Sequence, residues 1–225
     1  MSNGGLVFYD IETRSRNPIN FGSDKYFEGA EFLIANFARD DGEVQLWDRI
    51  NGQPCPPDLE DAIRDPSCVF VAHNAGFDKG GTKRLAGIDI PITRWRCTLA
   101  QAAAHGYPQG LDTLCAVLEL PEELRKQADL GKRLIQRFCI PHNDAGDYFD
   151  SSTHPQEWDE FCNAYGFCDI TSLREVHRRL PKVNYQGENL ETWWINELIN
   201  ERGFGFDQEL ANAARKLLDS QKARH

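Results

Sequence analysis

Acidic side chains in three separate segments are the residues of this chain best suited to chemistry. Asp10 and Glu12 stand two apart in LVFYDIET, Asp78 lies in HNAGFD, and Asp169 lies in YGFCD. Alternate side chains of a strand point the same way, so Asp10 and Glu12 would project together from the end of a strand that begins at Leu6. Carboxylate oxygens are preferred ligands of hard divalent cations, which also relieve the repulsion among such acids. The pattern predicts a site for Mg²⁺ or Mn²⁺.

A tyrosine accompanies the last of these acids. Tyr165 and Asp169 are four residues apart in a segment, 155–179, whose pattern predicts one long helix. Residues four apart share a helix face, so the phenol and the carboxylate would meet the same site. If this helix crosses the end of the first strand, Asp169 can share one cation with Asp10 and Glu12.

Two cations at such a site would suit the hydrolysis of a phosphodiester, for which metal pairs about 3.5–4 Å apart are typical. Asp10 and Asp78 would help to hold the second ion, partly through water molecules. Tyr165, aided by Glu12, would orient the attacking water by hydrogen bonding, because a free phenol with a pKa near about 10 is a poor base at neutral pH.

The rest of the sequence predicts an α/β fold that positions these acids. The order of elements favours a mixed five-stranded sheet with one antiparallel strand and with helices on its faces. The polar segment 13–29 is expected to be a loop beside the acids, and Asn74 is expected to cap the helix that carries Asp78. Strands are predicted at 6–10, 31–38, 43–47, 68–72 and 92–95, and further helices at 56–64, 98–105, 111–118, 130–138, 155–179 and 186–202.

Length and composition limit the class of protein. The 225 residues suit one sizeable α/β domain with a short appendage. A net charge of -10 argues against a grip on nucleic acid by bulk electrostatics, so any such contact must be local. Seven scattered Cys without CxxC pairs predict reduced thiols. No apolar run reaches the roughly 18 residues of a membrane span, and the chain is expected to be cytoplasmic, with no membrane partner.

The three acidic motifs resemble those of a known superfamily. YDIET, NAGFD and YGFCD are similar, in this order, to the motifs of the DEDD superfamily of 3′-to-5′ exonucleases, which share a ribonuclease H-like fold. The third motif separates two branches, and here Tyr165 precedes Asp169 by four residues, whereas Ala164 stands where the other branch has histidine. The chain therefore resembles the tyrosine branch, and within it the proofreading domain of phage-type family A DNA polymerases.

This resemblance implies a domain organisation, a partner and a place of action. Residues 1–180 would form the exonuclease domain, and 181–225 a helical extension similar to the junction that leads into a polymerase domain. The chain would be either a piece of a longer polymerase or a separately encoded exonuclease, with a polymerase domain as its partner in cis or in trans. Its setting would be the cytoplasm of a bacterial or phage-infected cell.

The resemblance also implies a substrate and a set of roles. The expected reaction releases nucleoside 5′-monophosphates from single-stranded or frayed 3′ ends of DNA. Asn74 would contact the terminal nucleotide, Phe77 would pack near its base or sugar, and Thr13 would offer a backbone or hydroxyl contact. Asp10, Glu12, Asp78, Tyr165 and Asp169 would be the catalytic residues, and the four acids among them would bind the two divalent cations.

Two alternatives stay open at this point. A ribonuclease D-like exoribonuclease uses the same motifs, although the polymerase-like extension argues against it. A nucleic-acid-binding or polymerase-scaffold module without turnover would not need a full set of acids that destabilise the fold without metal.

The stretch LGKRLIQRF brings Lys132, Arg133 and Arg137 together, and these cations are candidates for phosphate contacts.

Overall fold

A five-stranded mixed sheet forms the centre of the protein in the computed structural model, which describes residues 4–125 and 128–222. The strands are β1 (Leu6–Ser15), β2 (Ala30–Arg39), β3 (Gln45–Asp48), β4 (Val69–Ala72) and β5 (Trp95–Cys97). Their order across the sheet is β3-β2-β1-β4-β5. β2 is antiparallel to both of its neighbours, and β1 runs parallel to β4 as β4 does to β5. The predicted α/β sheet with one antiparallel strand is confirmed.

Helices cover both faces of the sheet. They are α1 (Ser23–Phe27), α2 (Pro57–Arg64), α3 (Ala75–Ala86), α4 (Thr98–Ala104), α5 (Leu111–Val117), α6 (Ala128–Phe138), α7 (Pro155–Asp159), α8 (Gly166–Arg179), α9 (Glu188–Arg202) and α10 (Gln208–Lys222). Short 3-10 turns occur at Ile19–Phe21, Ile92–Arg94 and Glu122–Leu124. Residues 141–153 contain no helix or strand.

The central strand β1 is buried on both faces, which explains its continuous apolar start. Val7 and Tyr9 pack on the side of α2 and α3, in one cluster with Leu59 of α2. Phe8 points the other way and packs against Ile170 of α8. Because α3 and α8 lie on opposite faces of the same strand, β1 is the element from which both helices can be reached.

The structure corrects the predicted surroundings of the acids. β1 continues five residues beyond its predicted end at position 10, so Asp10 and Glu12 lie within a strand rather than at its tip. The expected loop at 13–29 contains the end of β1, a 3-10 turn and α1. Pairing with β2 extends through Ser15 and holds this polar sequence in a strand, because an antiparallel partner supplies backbone hydrogen bonds that side-chain pattern alone does not reveal.

The predicted long helix at 155–179 is continuous but contains a π-helical segment, Glu160–Tyr165, between α7 and α8. A buried side chain of β2 accompanies it: Asn36 Nδ2 donates a hydrogen bond to the carbonyl oxygen of Cys162 at 2.9 Å. A Cβ atom added at Gly166 would lie 2.0 Å from Asn36 Oδ1. Glycine therefore allows the helix to approach the sheet at the point where the helix changes its hydrogen-bond pattern.

The C-terminal segments differ in how they pack. Trp193 and Trp194 of α9 pack half-buried against the core, and Trp194 Nε1 donates a hydrogen bond to the Trp95 carbonyl oxygen at 3.3 Å. Beyond α9, the side chain of Phe204 is 91% exposed, and no residue of α10 is buried. Among the described residues of the extension, Tyr185 and α9 therefore pack against the body, whereas α10 does not.

Within the described residues, no helix combines the length and the apolar character that crossing a lipid bilayer requires.

Gly166→Ala is expected to lower the free energy of unfolding by about 1–3 kcal/mol, because the added methyl group would collide with Asn36 and force α8 away from β2. Urea unfolding followed by circular dichroism measures this change. Gly205→Ala is the matched control, since a Cβ at that glycine meets nothing within 4 Å. Equal unfolding midpoints for the two variants would contradict the proposed close contact.

Candidate metal centre and nucleotide pocket

Three of the four acids converge on one point. Asp10 and Glu12 of β1 and Asp169 of α8 each offer a carboxylate oxygen, and these oxygens all lie within 4.8 Å of one another. The first two share a strand face because they are two residues apart, and α8 packs on that face. The pairing of β1 with β2 also shifts register between Glu12 and Thr13, and such irregularities often re-aim side chains next to functional sites.

Asp78 lies beside this group but not within it. β1 pairs with β4 only as far as Phe8, so the backbone N–H of Ile11 has no partner in β4. Asp78 reaches it from the first turn of α3, and its Oδ1 accepts a hydrogen bond from Ile11 N at 3.1 Å. Burial, followed by the negative charge of Asp10, raises the pKa of Asp78 well above its ordinary value.

Tyr165 is held firmly beside the acidic group. It is the last residue of the π-helical segment, is 1% exposed, and forms a side-chain hydrogen bond with Asp169. A Cβ added at Gly131 of α6 would lie 2.6 Å from Tyr165 Cε2, so glycine lets α6 close over the ring. Burial, then Glu12 and Asp169, raise the pKa of Tyr165 far above its ordinary value. The phenol therefore keeps its proton and acts as a hydrogen-bond donor.

The donor set fits a divalent cation. Three carboxylates with converging oxygens match the oxygen ligands and the charge that hard divalent ions prefer, and the group contains no imidazole or thiolate. A cation there also removes the electrostatic cost of gathering the acids. The predicted use of divalent cations agrees with this chemistry.

A pocket of about 410 Å³ opens next to Glu12. Thr13 and Phe77, both predicted to contact substrate, line it, as do apolar side chains such as Ile135. Tyr26 of α1 completes the wall: its hydroxyl lies 2.9 Å from Thr13 Oγ1, and its ring centre lies 5.8 Å from that of Phe77. The pocket is largely aromatic and aliphatic, with the acidic group at one edge.

Asn74 does not cap α3 as predicted. It stands at the N-cap position of α3, but its side chain makes no capping hydrogen bond, and its backbone is left-handed with φ 72°. A capping side chain normally needs extended backbone, whereas asparagine tolerates the left-handed region and so suits this sharp turn. Asn74 is exposed and does not line the pocket. The turn is supported by His73, whose ring nitrogens lie 2.9 Å from Thr98 Oγ1 and 2.8 Å from the Gln109 carbonyl oxygen.

Sequence reasoning missed three residues of this region. Tyr26 belongs to a segment predicted as loop, where the aromatic pair with Phe27 was the one available signal. Asn36 contacts the π-helical segment, but it lies in a strand whose sequence pattern indicates only that the strand is buried. Cys139 is a buried thiol whose Sγ donates to Glu12 Oε2 at 3.9 Å. Such contacts between distant segments carry no local sequence pattern.

Comparison with known proteins agrees with the motifs. No protein-family model matches the chain. A DNA polymerase of Bacillus phage SP02 is 27% identical to it over 213 residues, which cover 91% of the chain and 32% of that polymerase. The chain thus spans about a third of the length of this relative.

Two solved structures share the fold. One is Brucella melitensis NrnC, with a TM-score of 0.52 and 17% identity, covering 87% of this chain and 81% of that one. The other is the same protein with bound Mg²⁺, with a TM-score of 0.50 and 18% identity, covering 88% and 83%. Together with the three motifs and the polymerase match, they confirm the predicted resemblance to the DEDD exonuclease superfamily, and the chain has the ribonuclease H-like fold of that superfamily.

The raised pKa of Asp78 predicts a pH dependence of the metal-free protein. A carboxyl group whose pKa is higher in the folded than in the unfolded state costs stability once the unfolded group ionises. Stability in chelator should therefore fall as pH rises from about 4, the ordinary pKa, through the raised value. Asp78→Asn should remove much of this fall, since an amide oxygen can still accept from Ile11 N. Thermal unfolding of both proteins between pH 4 and 8 measures it, and parallel pH profiles would count against the effect.

Proposed function

We propose that the protein is a divalent-metal-dependent 3′-to-5′ exodeoxyribonuclease that removes nucleoside 5′-monophosphates from single-stranded or frayed DNA ends. The observation that carries the proposal is the convergence of Asp10, Glu12 and Asp169 within 4.8 Å beside a mainly apolar pocket. A metal site at the edge of a small-molecule pocket suits an enzyme that acts on the last unit of a chain. The order of the three motifs along the sequence agrees.

The four acids would share the work of holding two cations. Asp10, Glu12 and Asp169 would bind one ion, and Asp10 with Asp78 would help to bind the second. Bound Mg²⁺ or Mn²⁺ supplies Lewis acidity toward the scissile phosphate and lowers the pKa of water. Asp78 has a further task that needs no ion, because its hydrogen bond to Ile11 fixes α3 against β1.

Tyr165 would orient the attacking water. Its hydroxyl is protonated, buried beside the acids and held by α6, so it can direct a water molecule but cannot remove the proton. Thr13 and Phe77 would hold the sugar and base of the terminal nucleotide, with Tyr26 as an added wall. Asn74, at the exposed turn before α3, would contact the same nucleotide from outside the pocket. Apolar and stacking contacts of this kind tolerate any base.

We propose DNA as the substrate because of the match to a polymerase and because the extension is proposed to lead toward a polymerase domain. The relative is a DNA polymerase, and the sequence of 181–225 resembles the junction that leads toward a polymerase domain in such proteins. We propose proofreading for a phage-like polymerase, in cis or in trans, in the cytoplasm of a bacterial or phage-infected cell. The exposed side chains of Ile195 and Leu198 on α9 would face such a partner. RNA remains the competing substrate, because a ribonuclease D-like enzyme needs the same acids.

A single assay tests direction, metal and substrate. The purified chain is incubated with single-stranded DNA or RNA of matched sequence, labelled at the 5′ end, in Mg²⁺, Mn²⁺ or chelator. We expect a descending ladder on DNA with either metal and none in chelator. Faster degradation of RNA would replace the DNA assignment by the ribonuclease one, and the absence of any ladder on both would refute nuclease activity.

Asp10→Ala is expected to abolish hydrolysis, because both proposed ions lose a ligand. In chelator the variant should be as stable as the original protein or more stable, since one of the repelling charges is gone. The gel assay and thermal unfolding measure the two effects separately. Hydrolysis at the original rate would remove Asp10 from the mechanism, and loss of the folded state would show a structural role instead.

Tyr165→Phe should reduce kcat about ten- to a hundredfold, as expected for the loss of one positioned polar group, while the ring continues to fill its site under α6. Tyr185→Phe is the matched control, because that hydroxyl is also buried but accepts from Cys97 N at 2.9 Å, away from the acids. Steady-state rates on the same oligonucleotide decide the matter. An equal loss in both variants would assign Tyr165 to stability alone.

A further inference from the structure

A second groove lies next to the nucleotide pocket and shares a wall with it. Ile140 and Pro141, which follow α6, line both the pocket and a groove of about 570 Å³ along the outer face of α6. We call it the α6 groove, and its polar wall contains Lys132, Arg133 and Arg137. A chain that leaves the pocket over Ile140 and Pro141 therefore enters a surface lined with cations.

The charges of the α6 groove are unusual for an acidic protein. Asp129 is the one acid that lines it among the described residues, against three cations. Arg133 forms ion pairs with Glu157 and Glu160 of the neighbouring helical segments, at 3.3 and 2.6 Å, and Arg137 pairs with Glu157 at 3.3 Å. These acids hold both guanidinium groups at the groove and offset part of their charge. Lys132 is exposed.

The far wall of the groove is fixed by ring contacts. The His142 and Phe149 rings stack with centres 4.2 Å apart, and the guanidinium of Arg137 lies 4.9 Å from the centre of the Phe149 ring. These contacts join the loop after α6 to the helix itself, although that loop carries no regular structure. The groove is consequently a formed surface rather than a gap between a helix and a free loop.

Another cleft shares Arg16 with the pocket but has the wrong charge for a phosphate backbone. It is lined by Arg14 and Arg16 together with Glu31, Asp147 and Asp150. Arg14 is bound to Glu31 at 2.7 Å. Acids outnumber cations there, so the cleft would repel a phosphate backbone, whereas the α6 groove would attract one.

We propose that the α6 groove binds the phosphates of the single strand upstream of the terminal nucleotide, an inference that rests on the proposed exonuclease function. Its cations would contact phosphate oxygens, which position a strand without reading its sequence. Substrates long enough to reach the groove would bind more tightly than a dinucleotide, which ends at the pocket. The groove thereby gives this acidic protein its local contact with a polyanion.

Lys132→Gln tests the inference, because it removes one cation and leaves the ion pairs of Arg133 in place. Fluorescence anisotropy in chelator would measure the binding of labelled oligothymidylates of two and eight nucleotides. For the octamer, the slope of log affinity against log salt should become shallower by about 0.7, which is the loss of one phosphate contact on a single strand. If the two proteins bind the octamer equally at 1 M salt, the variant should therefore bind it about fivefold more weakly than the original protein at 0.1 M salt. The dinucleotide should bind equally to both proteins.

Lys216→Gln, on the exposed α10, is the matched control and should leave both slopes unchanged. An octamer that binds Lys132→Gln with the original affinity and salt slope would overturn the groove, as would an equal loss on the dinucleotide. The KM for octamer hydrolysis in Mg²⁺ separates this outcome from failure of the function. If the protein degrades DNA and Lys132→Gln leaves the KM unchanged, the nuclease function stands and the groove proposal is refuted. If the protein degrades no DNA, the proposed function is refuted, and the anisotropy measurement still tests whether the groove binds a single strand.

Discussion

Repulsion among gathered carboxylates is the interaction on which the rest of this structure depends. Two unit charges 4.8 Å apart repel by about 3 kcal/mol at an effective dielectric constant of about 20. The three pairs formed by Asp10, Glu12 and Asp169 would cost about 10 kcal/mol if all were ionised, which is comparable to the whole stability of a typical domain, about 5–15 kcal/mol. A single hydrogen bond offsets only about 1 kcal/mol of this. Divalent cations at this group would relieve most of the repulsion.

The fold resists this repulsion by packing the acids' supports closely from both faces of β1. Glycine at positions 131 and 166 lets α6 and α8 approach where any larger residue would collide with Tyr165 or Asn36. On the opposite face, Asp78 binds the backbone of Ile11 and so ties α3 to the same strand. The acids can move apart only if these contacts break. The packing of the helices therefore offsets the free-energy cost of the repulsion between the carboxylates. A site of this kind is prepared for cations before they bind.

The sequence could predict the elements of this site more readily than its contacts. The two-residue spacing of Asp10 and Glu12 and the four-residue spacing of Tyr165 and Asp169 follow from strand and helix geometry, so local pattern was enough to place each pair on one face. The strand beyond Asp10 was missed because its hydrogen bonds come from β2, and the cap at Asn74 was wrong because a left-handed turn overrode the usual geometry. Tyr26 joins the pocket through contacts with residues far from it in the sequence, such as Thr13 and Phe77. Contacts between residues that are far apart in the chain produce no periodic pattern in the sequence.

The same acidity that calls for cations also shapes the approach of a nucleic acid. With a net charge of -10, the protein as a whole repels a phosphate backbone, and the metal-free acidic group would repel it most strongly where the proposed scissile bond would lie. Divalent cations at that group would reverse the sign of the local charge, so metal binding and binding of the proposed substrate would favour each other. By linkage, each raises the affinity for the other by the same factor. A chain of this design would hold a terminal nucleotide most tightly when its metals are present, and the proposed hydrolysis would thereby be favoured in the state that can carry it out.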